Sequence, residues 1–165
     1  MMLRIRSAML VTAALAAGLL SHGAAQAAST TAKANATILA PLSISNTQGL
    51  NFGSILPGTT AGTVSVSALS ARNCSSLVCS GNAFAAAFTV ISDSSAETVV
   101  TVDNSVDISS DSGGSMTVTL LPSATTLSLT SGTTSTLTVG GSLAVGASQK
   151  TGSYTGTFSV SVDYN

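Results

Sequence analysis

The chain has no tryptophan, one histidine and only five lysines and arginines in 165 residues. Charged side chains make up 7% of it, against about 25% in ordinary globular domains. Each shortage excludes a class of function. The one histidine, His22, falls in an N-terminal segment expected to be removed, so no Ser-His-Asp or Cys-His catalytic arrangement can be assembled. Scattered cations make neither a phosphate-binding patch nor a polybasic membrane stripe, so nucleic acid is not an expected partner. With no Trp and only Tyr154 and Tyr164, an aromatic platform for sugars is hard to build. No cofactor and no enzymatic activity is expected.

What is present begins with a processing segment. Arg4 and Arg6 precede an apolar stretch from Ala8 to Leu20, and Ala25-Gln26-Ala27 supplies a small-x-small cleavage site. The apolar stretch is shorter than the roughly 20 residues a membrane span needs. Residues 1–27 therefore read as a signal peptide, with the mature chain starting at Ala28, exported and not inserted in a membrane. Its 138 residues suit one domain. Lys33, Arg72 and Lys150 face Asp93, Glu97, Asp103, Asp107, Asp111 and Asp163, a formal charge of −3. Ser, Thr, Gly and Val dominate the rest, which suits wetted sheet faces with little charge repulsion between copies.

Cys74 and Cys79 are the only cysteines, and in an exported chain such a pair reads as a disulfide. Closing so small a loop stabilises by roughly 2 kcal/mol on the chain-entropy model. A zinc site would need two further ligands that the mature chain lacks. Asp103, Asp107 and Asp111 recur every four residues, too widely spaced for a calcium loop, and read instead as turn and edge residues. Asn35-Ala36-Thr37 and Asn73-Cys74-Ser75 match the glycosylation triplet, a pattern common by chance in a chain this rich in Ser and Thr.

Alternation with period two runs through most of the mature chain and specifies strands with one buried and one wet face. Even positions from Ala32 to Ile44 are apolar. Pro41, which cannot donate to a ladder, divides this run into an N-terminal segment and a first strand. Further strands are expected over Leu50–Ile55, Gly62–Leu69 (inward Val64, Val66 and Ala68), Ala83–Ser92, Glu97–Val102 and Val106–Ile108. Met116, Val118 and Leu120 mark another, and Leu127 and Leu129 a short one. Pro57-Gly58 and Asp111-Ser112-Gly113-Gly114 read as turns, and Gly140-Gly141, between alternating apolars, as a tight hairpin. The last fourteen residues, Gly152 to Asn165, alternate without error, with Gly152, Tyr154, Phe158, Val160, Val162 and Tyr164 on one face. No 3.6-residue stripe appears outside the signal peptide. The expectation is an all-β chain folded as an antiparallel immunoglobulin-like β-sandwich.

Thr37 to Ile44, Leu50 to Ile55 and the closing Gly152 to Asn165 resemble the bacterial DUF4402 family of exported β-rich domains. That family is similar to chaperone–usher pilins and spore coat protein U-like subunits. Pilins tend to end in an alternating strand with a penultimate aromatic and a glycine fourteen places from the end, which Tyr164 and Gly152 match here. The resemblance implies a pilin-like, incomplete sandwich that another subunit finishes by strand addition. It makes residues 28–40 an N-terminal extension with Ala32, Ala34, Ala36 and Ile38 as the donor face, and residues 41–165 the β-sandwich domain. The implied partners are other copies or related subunits, a periplasmic chaperone and an outer-membrane usher. The implied location is the periplasm in transit and then a fimbrium or cell surface, with a role in adhesion. The donor is alanine-rich, and small side chains fill pockets poorly. Two alternatives stay open: residues 28–40 pair within their own domain, and the chain is a stand-alone secreted or cell-surface binding module.

Overall fold

The computed structural model describes residues 26–165, so the expected signal peptide lies almost wholly outside the described residues. The described chain falls into a leading segment ending at Ala36 and a body from Thr37 to Asn165. Residues 26–36 form no strand and are exposed throughout.

The body is an all-β, antiparallel β-sandwich. Its strands are β1 (Ser43–Gln48), β2 (Ser54–Leu56), β3 (Gly62–Val66), β4 (Arg72–Ser75), β5 (Val78–Ser80) and β6 (Ala86–Ser92). There follow β7 (Ala96–Val102), β8 (Ser105–Ser109), β9 (Ser115–Pro122), β10 (Thr126–Leu129), β11 (Thr133–Val145) and β12 (Val160–Tyr164). One seven-stranded sheet runs β1-β6-β11-β3-β4, with β9 and β8 joined through β11. A three-stranded sheet, β10-β7-β12, faces it, and β2 and β5 form a two-stranded ribbon.

Alternation places the core as the sequence requires. Val64 and Val66 of β3, Phe88 and Val90 of β6, Val118 and Leu120 of β9, and Leu137 and Val139 of β11 are all buried. Val100 and Val162 close the core from the facing sheet. Phe158 meets Phe88 edge to face at 6.2 Å, the favoured arrangement of two ring quadrupoles. Pro41 ends the leading run as expected, and β1 begins two residues later.

Gly140 and Gly141 do not turn a hairpin. The thirteen-residue β11 runs straight through them. Its pairing with β9 is continuous from Val139 to Leu143, whereas its opposite edge pairs with β6 up to Val139 and with β3 from Gly141. At that change of partner the backbone of β3 comes so close that a Cβ on Gly140 would strike Val66 O and lie 2.8 Å from the carbonyl carbon of Ser67. A glycine pair between alternating apolars serves a turn or a close backbone approach equally well, and only the tertiary pairing distinguishes them. Here it lets one strand serve two halves of a curled sheet.

Three further expectations are redrawn. Of Leu50–Ile55 only the end is strand, while Asn51 forms an isolated bridge with Phe84. The cysteine segment, expected as a loop, carries β4 and β5. The closing strand is five residues long, not fourteen. It stops pairing with β7 because β7 ends: Val160 opposes Val102, and the next residue, Asp103, accepts a hydrogen bond from Ser159 N through its carboxylate at 2.7 Å.

Candidate functional site: a cleft and two open sheet edges

The first and last strands of the body are both sheet edges, and they lie in different sheets. Among the described residues β1 pairs only with β6, and β12 only with β7. Ile44 of β1 and Val90 of β6 are cross-strand partners, so their side chains share a face. Val90 is fully buried there, yet Ile44 is 37% exposed and every residue of β1 is exposed. Val90 is sealed between the sheets, while Ile44 stays partly open to solvent.

A cleft of about 560 Å³ with an apolar floor lies between the segment that follows β1 and the segment that precedes β12. Val106, Ile108, Met116, Val118, Leu143 and Val145 form its floor. One wall is the segment from Leu50 to Ile55, and the other is the segment from Gln149 to Gly156 with Phe158. The second wall is the part of the expected closing strand that is not strand. Thr155 and Ser109 exchange both backbone hydrogen bonds, at 2.9 and 3.0 Å, laying the chain along β8. Gly156 permits this, since a Cβ there would lie 2.6 Å from Asp107 O. Tyr154 Oη donates to Lys150 O at 2.7 Å and accepts from Gln149 Nε2 at 2.9 Å, and Ser112 Oγ donates to Thr151 O at 3.0 Å. The alternation survives the break. Val162 is buried and Tyr154, Phe158, Val160 and Tyr164 are half-buried, while the residues between them are exposed. Gly152 is exposed beside Ser110 and Ser112.

The first wall is held from behind. The disulfide expected from the sequence is present, joining Cys74 of β4 to Cys79 of β5. Arg72 Nη1 donates to Phe52 O at 3.1 Å and to Ser80 O at 2.9 Å, one carbonyl on each side of the β2–β5 ribbon. Gly53, at φ +78°, passes so close that a Cβ would meet the Arg72 guanidinium. Sequence reasoning counted Arg72 only as a charge. Its place immediately before Asn73-Cys74 was the available signal, because an anchor beside a disulfide acts on the same segment.

The candidate donor residues are not brought into any strand. Ala32, Ala34 and Ala36 lie in the leading segment, all exposed, and Ile38 at the start of the body is 94% exposed. Two of the three spaced aspartates act as acceptors within the fold. Asp107 Oδ1 accepts from Thr117 Oγ1 at 2.6 Å, and Asp103 holds Ser159 as described. Among the described residues no group of three or more acidic, His or Cys side chains converges on a common point.

Residues 42–164 match the model of the family described as Domain of unknown function (DUF4402). The chain belongs to the DUF4402 family. No curated protein and no solved structure matches it. The DUF4402 domain corresponds to the strands and leaves Ala32, Ala34, Ala36 and Ile38 outside the matched residues. Both walls and the floor of the cleft lie within it.

Proposed function

We propose that this DUF4402 chain is a non-catalytic structural subunit of a fimbria-like surface polymer, exported and then assembled by β-strand addition. Residues 28–40 of one copy complete the sandwich of the next along the free edge of β12. The observation that carries this reading is the contrast between Ile44 and Val90, two residues on one face of one sheet, of which Val90 is sealed and Ile44 is left partly open to solvent. An extended peptide supplies what this site lacks. Its backbone pairs with the free N–H and C=O groups of β12, and its alternate side chains point into the cleft. The occupant named is a second copy because this chain carries a suitable segment, alternating from Ala32 to Ile38, exposed and free of strand structure.

The pilin likeness of the closing residues supports the same reading, with a periplasmic chaperone as the partner that covers the edge before assembly. Donation in one direction between copies is a heterologous contact, and such contacts generate open filaments when the rotation does not close.

The test is deletion of residues 28–40. The remaining body is expected to stay a folded monomer by circular dichroism and sedimentation, to form no filaments, and to capture a synthetic peptide of residues 28–40. If the deletion unfolds the isolated domain, the segment belongs to its own sandwich and the strand-addition reading falls.

A further inference from the structure

The weakest piece of the body forms a wall of its cleft. The β2–β5 ribbon has only three register pairs, Ser54 with Ser80, Ile55 with Cys79 and Leu56 with Val78. A lone two-stranded ribbon is marginal in water, because three pairs do not offset the entropy of ordering both segments. Nor is this one buried, since Leu56 is 66% and Val78 65% exposed. Yet Phe52 and Ile55, which it carries, face the cleft.

Besides the Asn51–Phe84 bridge and the packing of Phe52 and Ile55 on the core, two groups hold it, and both stem from β4. The disulfide ties Cys79, opposite Ile55, to Cys74, which in turn opposes the fully buried Val64 of β3. Arg72 opposes the buried Val66 and spans the ribbon through the carbonyls of Phe52 and Ser80. A guanidinium fits this task because the two N–H groups of Nη1 are fixed in its plane and diverge toward the two carbonyls, whereas the protons of an ammonium rotate freely on a flexible stem. Covalent and polar anchors thus run from the deepest part of the large sheet to the rim of the cleft.

We propose that Arg72 and the Cys74–Cys79 disulfide are positioning groups for strand capture, holding the Phe52–Leu56 wall where an incoming strand requires it. The inference rests on the strand-addition reading. With the disulfide open and Arg72 removed, the large sheet persists and the wall does not. The subunit is then folded without being receptive, because a strand entering the cleft would have to order the wall as well as itself.

The test uses the mature chain, residues 28–165, carrying Ile38→Asp so that copies do not fill one another's acceptor edges, in three forms: oxidised, treated with dithiothreitol (which takes the disulfide to two thiols as it becomes a cyclic disulfide), and with Arg72→Gln added. Hydrogen exchange is read at the amides of Ser54–Leu56 and of Leu137–Val139, and capture of a labelled peptide of residues 28–40 is titrated alongside. Reduction and Arg72→Gln are each expected to speed exchange at Ser54–Leu56 by about tenfold or more and to weaken capture by about tenfold, with Leu137–Val139 unchanged. Arg72→Lys is expected to fall between. Exchange at Ser54–Leu56 that is indifferent to both perturbations overturns the proposal, as does undiminished capture by the reduced protein. If one perturbation unfolds the large sheet, the other decides. An oxidised chain that protects Ser54–Leu56 and still captures no peptide sinks the strand-addition reading while leaving the anchoring of the wall in place.

Discussion

Tyr164 Oη donates a 2.6 Å hydrogen bond to the carbonyl of Ala40, joining the penultimate residue to the point where the chain enters its first strand. The same hydroxyl lies 2.9 Å from Ser92 Oγ, and Ala40 N donates to Ser94 Oγ at 2.9 Å. The penultimate aromatic therefore fastens the last strand to the root of the exposed N-terminal segment. Pattern alone assigned it only an inward direction.

Tyr164→Phe keeps the ring and removes this tie. One partly buried carbonyl loses its donor, which costs about 1–2 kcal/mol. Thermal unfolding of the mature chain is expected to show a midpoint lower by about 5 °C, with faster exchange at the Ala40 amide. An unchanged midpoint would mean that the contact contributes nothing.

The two cross-strand partners Ile44 and Val90 should behave differently. Val90→Ala leaves a cavity in a sealed core and is expected to destabilise the monomer by about 2 kcal/mol. Ile44→Ser should cost the monomer less, about 1 kcal/mol, and weaken peptide capture, because the part of its side chain still open to solvent is covered when a strand is added. Denaturant titration of both variants beside a capture assay separates the two effects.

Ile38→Asp places a charge on the one large residue of the donor face. Chemical unfolding of the monomer is expected to be unaffected, since the position is 94% exposed. Filament yield should fall to background, because burying an unpaired carboxylate costs several kcal/mol. Filaments that form normally would show that this residue does not enter a neighbour.

Gly140→Ala tests the close approach of β3 and β11. The added carbon meets the Val66 carbonyl, so a loss of about 3 kcal/mol or more is expected by urea titration. Gly132 makes a useful contrast. Nothing lies within 4 Å of its would-be Cβ, and only its φ of +70° resists substitution, so Gly132→Ala should cost about 1 kcal/mol.

The sequence by itself determined the all-β class and the inward faces of most strands, though not β4, β5 or the length of the last strand. A period of two is written residue by residue, and Val64, Val66, Phe88, Val90, Val118 and Leu120 are buried where alternation puts them. The disulfide was legible too, since only one pairing of two cysteines exists. Chain order could not decide which edges meet. The glycines at 140 and 141 look like a hairpin until β11 is seen to change partners there. The closing alternation looks like one long strand until β7 runs out at Val102 and the segment before Val160 crosses to β8. Arg72 was a bare charge until the fold carried the carbonyls of Phe52 and Ser80 to it. Those outcomes depend on contacts between residues far apart in sequence, which a local pattern does not encode. The cleft is of that kind: its two walls are about a hundred residues apart along the chain, and the bridges of Asn51 with Phe84 and of Thr155 with Ser109 lay them in place.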